Sequence, residues 1–431
     1  MGEAVVPLVG TPMPATPDLV MRSGDLKRAL VDFVHQPRFA HALRQALQRR
    51  FGKGKRIVAD EEEITNFLDF FILQHRLPDG HTVVEHFVVE HPELPEEERA
   101  MLLGWRDVVE GIFEIQRREG DALIVTNLVD EMTYSVRSNM GPSVLGPLRG
   151  GAFLLARLVP IGDEWLLSGM ASMFPETDRA AAHSAAAEVA TRQPRLVLRN
   201  PEKLAQAWEL QRQERGYFIR FFGSDLVVLP GRELDERMRE YAHFRTYVLR
   251  DAEGKSAADR ARSTYGVEPT APDLHLPEDL RQMETVGVMC DEVDGLHFLS
   301  NFGVLEEAFA NPELVAKGRH RQAVLGYLRA KSIPPSALRR LAERDTERAS
   351  RVFERVLRQS GFAWERDGEA LLRRYKVSYF EQPALPAVTP LSGPLARATM
   401  GASAGEDLAG PRRRPTGRLA RKAKRTSDRG R

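Results

Sequence analysis

Apolar positions recur at helical spacing from Asp25 onward, as Leu26, Ala29, Leu30 and Phe33, break at Pro37, and resume as Phe39, Leu43, Ala46 and Leu47. Asp60 with Glu63, and Thr82 with Glu85, have the spacing of capping boxes. They open helices whose apolar stripes are Ile64, Phe67, Leu68, Phe71 and Ile72, and then Val84, Phe87 and Val88. Another helix begins at Pro95 and turns Trp105, Val108 and Val109 inward.

The pattern then shortens. Ile112 to Gln116, Ala122 to Asn127, Met132 to Val136, Ala152 to Val159 and Glu164 to Gly169 read as strands, with Gly120-Asp121 and Gly162-Asp163 as hairpin turns. These runs are too short for helices, and closure into a barrel removes the unpaired edges a small sheet exposes. The Gly-rich loop from Ser138 to Gly151 is the natural mouth of such a barrel.

Helical patterning returns at Glu176 to Gln193 and Pro201 to Gly216, followed by a short strand at Leu226 to Leu229 and a charged helix from Glu233. Thr285 to Asn301 reads as a hairpin turning at Asp294-Gly295, and Val304 to Tyr375 as helices broken at Pro312 and at Pro334-Pro335. The predicted fold class is α+β: a helical N-terminal block, a small five-stranded antiparallel β-barrel of OB or SH3 type, and a mixed, mainly helical C-terminal region. The segments are a flexible leader (1–22), the helical block (23–110), the barrel (111–175), a helical/αβ segment (176–250), a linker (251–280), a hairpin with helices (281–382) and a disordered basic tail (383–431).

The formal net charge of +1 hides an asymmetry. Ten of the 62 basic residues and one of the 61 acidic residues fall in 411–431, which leaves the remainder at a formal −8. A mobile tail of this kind, with Arg412, Arg413, Arg414, Arg421, Lys422, Lys424 and Arg425, has the chemistry to release counterions from a nucleic-acid backbone or to meet an acidic protein. On the barrel, Tyr134, Arg137, Arg149 and Arg157 supply the residue types of a stacking and phosphate-contacting face. The alternative for the tail is a solvated terminus with no dedicated partner.

A single cysteine, Cys290, rules out an intrachain disulfide framework and a Cys-built zinc site. With no run of about 20 apolar residues and no secretory leader pattern, the expectation is a cytoplasmic protein with no membrane partner. His75, His81, His86 and His91 invite a metal reading, but residues five apart on a helix cannot share a face, so no metal is expected. His75 and His91 fall at helix C-terminal ends, where the macrodipole favours an imidazolium. The acidic loop after Cys290 lacks the bidentate glutamate of an EF-hand, and Gly254-Lys255-Ser256 lacks the first glycine of a P-loop. No cofactor signature occurs.

Leu68-Asp69-Phe70-Phe71, Leu77-Pro78-Asp79-Gly80, Trp105, Gly111-Ile112-Phe113-Glu114 and the run from Leu154 to Gly169 resemble a family of uncharacterised bacterial proteins. The resemblance covers roughly residues 55 to 175, with an echo at Phe222-Gly223-Ser224-Asp225. Some members of that family carry a SEC-C zinc motif, which a chain with one cysteine cannot supply.

The functional expectation is a non-catalytic binding or regulatory module engaging nucleic acid or an acidic partner. One alternative is an enzyme with Cys290 as nucleophile, His297 as base and Glu292 as orienting group. In the expected hairpin, Glu292 faces His297, and Cys290 lies diagonally from His297 on the same face. The other alternative is a structural or assembly factor.

Overall fold

The computed structural model describes residues 15–52, 60–174, 176–266, 268, 276–316, 318–391 and 393–402. It divides into two compact units between Val197 and Leu198. The fold is α+β in both.

The first unit opens with α1 (Pro17–Val34), α2 (Ala40–Phe51), α3 (Glu61–Leu73), α4 (Val83–Glu90) and α5 (Glu96–Gly104). The capping boxes expected at Asp60 and Thr82 are both formed. α1 starts earlier than its apolar periodicity suggests. The Thr16 side chain accepts from the amide of Leu19, and Pro17 sits at the first helical position, where no amide is needed. Residues 17–22, expected within the leader, are therefore helical.

Five strands follow: β1 (Val109–Glu119), β2 (Ala122–Asn127), β3 (Thr133–Arg137), β4 (Phe153–Ile161) and β5 (Glu164–Phe174). They close into a barrel in the order β1-β2-β3-β5-β4, with β4 pairing back onto β1. The expected turns at Gly120-Asp121 and Gly162-Asp163 join β1 to β2 and β4 to β5, each glycine holding a positive φ. The all-antiparallel expectation is corrected at one seam. β3 and β5 run parallel, with Val136 beside Trp165 and Arg137 beside Leu166, because the β3–β4 crossing brings β5 in from the far side. The interior holds Phe113, Ile115, Val125, Tyr134, Val136 and Leu158, capped by Leu145 and Leu148 from the β3–β4 loop. Val159, Ile161 and Leu166 point the other way and join the core of the helical block, alongside Phe71, Leu102 and Trp105.

β5 does not stop at Gly169. Leu155 pairs with Ser172 and Arg157 with Ser168, so one residue of β4 lies opposite three residues of β5. Gly169, at φ +70°, makes this bulge possible, and a Cβ there would overlap the amide oxygen of Asn66 on α3. Asn66 fills the gap in the ladder. It accepts from the amide of Met170 at 2.8 Å and donates to the Met170 carbonyl at 3.1 Å.

α6 (Arg179–Arg192) lies against β1 and β5 and completes this unit's cover.

The second unit is built on β6 (Leu226–Pro230), β7 (Thr285–Asp291) and β8 (Gly295–Ser300), an antiparallel sheet in that order. The helix Pro201–Phe222 precedes it, ending at Gly223 in the left-handed region. Helices from Phe302 to Tyr375 form the main apolar core with Met289 and Leu299. The stretch expected as a linker contains the helix Ala257–Tyr265, opened by a Ser256–Asp259 capping box. Lys376 is fully buried there and donates through Nζ to the carbonyls of Tyr327 (2.7 Å), Ile333 (2.9 Å) and Ala330, filling the acceptors left at the end of the helix Arg319–Arg329.

Among the described residues no helix is long and apolar enough to cross a membrane.

Candidate functional site

In the β7–β8 hairpin, Asp291 pairs with Gly295, Cys290 with Leu296 and Met289 with His297. The loop holds the three residues Glu292, Val293 and Asp294, with Gly295 at φ +78°, instead of the two-residue turn expected at Asp294-Gly295. The register thus shifts by an odd number of residues, which puts Cys290 and His297 on opposite faces of the sheet. The thiol is buried, and burial pushes it up to about 11, with Glu214 adding to the shift. His297 Nε2 lies 3.0 Å from the carbonyl of Asp294, while the carbonyl of Glu292 accepts from Gln211. The nucleophile, base and orienting group are not assembled.

The barrel residues proposed for nucleic acid are also engaged elsewhere. Tyr134 is buried in the barrel core and its hydroxyl donates to Asp130 at 2.6 Å, so its ring offers no open stacking face. Arg137 pairs with Glu164 at 2.5 Å, and Arg149 donates to the carbonyls of Gly146 and Leu148. Arg157 is only 6% exposed. Arg412, Arg413, Arg414, Arg421, Lys422, Lys424 and Arg425 lie outside the described residues.

The histidines serve local packing. His75 stacks on Phe71 and His91 on Phe87. Burial, aided by Arg49, pulls His75 below the usual imidazole range, the reverse of the macrodipole expectation.

The chemistry of the first unit converges on Asp69. This carboxylate sits on the barrel-facing side of α3, 3% exposed, inside the run Phe67-Leu68-Asp69-Phe70-Phe71. Three groups meet it there. Lys27 of α1 donates to Oδ1, the Ser168 hydroxyl of β5 donates to Oδ1 at 2.7 Å, and Arg157 of β4 donates from Nε to Oδ2 at 2.9 Å. Lys27 Nζ also lies 2.9 Å from Ser168 Oγ and 5.4 Å from the centre of the Trp105 ring. The remaining guanidinium nitrogens of Arg157 reach Glu110 at 3.0 Å and Gln74 at 2.8 Å. Burial raises the Asp69 carboxyl, but the charges of Lys27 and Arg157 and the hydrogen bonds from Lys27 and Ser168 outweigh it, leaving the group below the ordinary carboxylate range. Ser168 reaches this cluster through its direct pairing with Arg157 across β4 and β5.

The cluster forms the polar floor of a cavity of about 780 Å³. One face of α1 (Met21, Gly24, Lys27, Val31) and one face of α3 (Thr65, Leu68, Asp69, Ile72) make two walls. Val159 and Leu166 make the third, and Asn139, Met140 and Val144 from the expected mouth loop make the fourth. Trp105 lines it too. Its indole Nε1 is buried with no hydrogen-bond partner among the described residues. At the rim, Met21 and Met140 are 72% and 59% exposed.

The loop expected as the barrel's mouth instead packs Leu145 and Leu148 into the barrel core and lends Asn139, Met140 and Val144 to a cavity outside it, and sequence reasoning named Arg157 but not Lys27, Asp69 or Ser168. The available signal was Asp69 itself: a lone carboxylate within an otherwise apolar helical run has to be paired if it is buried.

A family model described as a family of unknown function, DUF7986, matches residues 22–221, which takes in the helical block, the whole barrel and α6. No curated protein and no solved structure matches the chain.

Proposed function

We propose that the first unit is a non-catalytic binding module that encloses one small apolar molecule with a neutral, hydrogen-bond-accepting end. The reading is carried by the cavity beside Asp69: its volume is within the range of about 300–1,000 Å³ usual for ligand pockets, its walls are mainly apolar, and its polar groups are fixed. One donor remains for a guest. Lys27 spends two of its three N–H groups on Asp69 and Ser168, which leaves the third. Asp25, Asp32 and Asp69 outnumber Lys27 and Arg28 around the walls, which favours a hydroxyl, ester or amide end over a carboxylate.

The same cluster argues against catalysis. A carboxylate held below its ordinary range by two cations is a weak base at neutral pH, and the Ser168 hydroxyl donates to it without a neutral amine to take its proton. The barrel supports the assignment from another side. First strand paired to both second and fourth, and fifth returning parallel to third, is an OB-type order. The usual OB ligand surface lies on strands two and three and the turns beside them. In this chain the turns are two residues long and the Arg137 and Ser135 side chains both hold Glu164.

Titration of decanol into the full chain, followed by calorimetry, tests the proposal. One saturable site per chain is expected, tighter for decanol than for decanoate, and abolished by Ala171→Trp, which fills the cavity wall. Absence of saturable binding, or binding indifferent to Ala171→Trp in a folded variant, would overturn it.

A further inference from the structure

Behind α3 lies a second cavity, of about 670 Å³, bounded by the end of α2, the opposite face of α3, β1, β4, β5 and the end of α6. Its chemistry differs from that of the first. Arg49, Arg50, Arg157 and Arg192 line it, and so do the aromatic rings of Phe51, Phe67 and Phe70.

The three carboxylates in the lining are already committed. Glu62 accepts from the Ser172 hydroxyl, Glu63 closes the capping box on the amide of Asp60, and Glu110 accepts from Arg157. Arg192 pairs with Glu188. Arg49 and Arg50 have no ion pair among the described residues, although Arg50 lies over the Phe51 ring at 5.5 Å. Arg157 uses three of its five N–H groups on Asp69, Glu110 and Gln74, so two remain on a guanidinium whose position those contacts fix. Phe70 is 39% exposed, which leaves its ring partly open.

We propose that this second cavity binds a single phosphorylated aromatic molecule of the mononucleotide class. Arg49 and Arg50 would take the phosphate, with the buried Arg157 adding positive charge behind them, and Phe70 the ring. Guanidinium groups match phosphate oxygens in pairs, and an exposed phenyl face accepts any nucleobase by stacking. The volume admits one nucleotide, not a strand.

Adenosine monophosphate serves as the probe, titrated calorimetrically into the full chain beside inorganic phosphate and adenosine. One site per chain is expected, weakened as salt rises, with each half-molecule binding at least about tenfold more weakly than the whole. Arg49→Gln/Arg50→Gln and Phe70→Leu should each lower affinity about tenfold with the circular dichroism spectrum unchanged. The basic tail is intact in these variants, so any loss belongs to the cavity. Ala171→Trp, in the other cavity, should leave the affinity unaltered, so the two proposals fail independently. Binding that survives Arg49→Gln/Arg50→Gln, inorganic phosphate binding as tightly as the nucleotide, or no saturable binding at millimolar nucleotide would each overturn the assignment.

Discussion

Asp69→Asn removes one negative charge and almost no volume, and its cost follows from the groups left behind. Lys27 loses its only carboxylate in the cluster, whereas Arg157 keeps Glu110 and Gln74. Two charge-assisted hydrogen bonds to Asp69, each contributing about 1.5–3 kcal/mol, are weakened together. Part of this is offset because the buried carboxylate no longer has to be desolvated. Removing one partner from such a buried set costs about 3–5 kcal/mol overall, and that is the expected loss for the first unit. Trp105 and Trp165 belong to that unit and Trp208 and Trp364 to the other, so urea unfolding by fluorescence in a Trp208→Phe/Trp364→Phe background isolates the effect. The pH dependence has a definite sign. Because the folded carboxyl lies below its unfolded value of about 3.9, the Asp69 contribution is complete above that value and is lost as pH falls through the folded one. The asparagine variant should lose this part of the acid limb. A penalty under about 1 kcal/mol, with an unchanged acid limb, would refute the view that Asp69 organises the floor of the cavity.

Lys376 titrates in the opposite range. Burial lowers it to about 8 from an unfolded value of 10.5, so between those values the unfolded chain holds the extra proton and stability of the second unit should rise with pH, by up to about 3 kcal/mol. Lys376→Met should flatten that rise in denaturation midpoints measured at pH 8 and 10. Cys290, buried and with its thiol pushed up to about 11, should resist alkylation in the native chain and react once in denaturant. Rapid native labelling, counted by mass spectrometry, would contradict its place in the β7 core.

Elements with local rules were legible in the sequence. Capping boxes at Asp60 and Thr82, glycine turns at Gly120 and Gly162, and strand β2 over 122–127 all depend on neighbours a few residues apart. What escaped depended on distant partners. The parallel β3–β5 seam is chosen by barrel closure, and the continuation of β5 past Gly169 requires Asn66, which comes from α3. The β7–β8 register shows how small an error matters: one extra loop residue and a shifted turn move Cys290 and His297 to opposite faces. Lys27, Asp69 and Ser168 come from three elements, and nothing short of the tertiary fold brings them together.

α3 is a party wall. Thr65, Leu68, Asp69 and Ile72 front one chamber, and Glu62, Glu63, Asn66, Phe67 and Phe70 front the other, so most of its length borders a cavity on one side or the other. Substitutions that enlarge one room intrude on the next, and a protein engineer wishing to change the specificity of one chamber would do better to begin with α1, whose residues border the first alone.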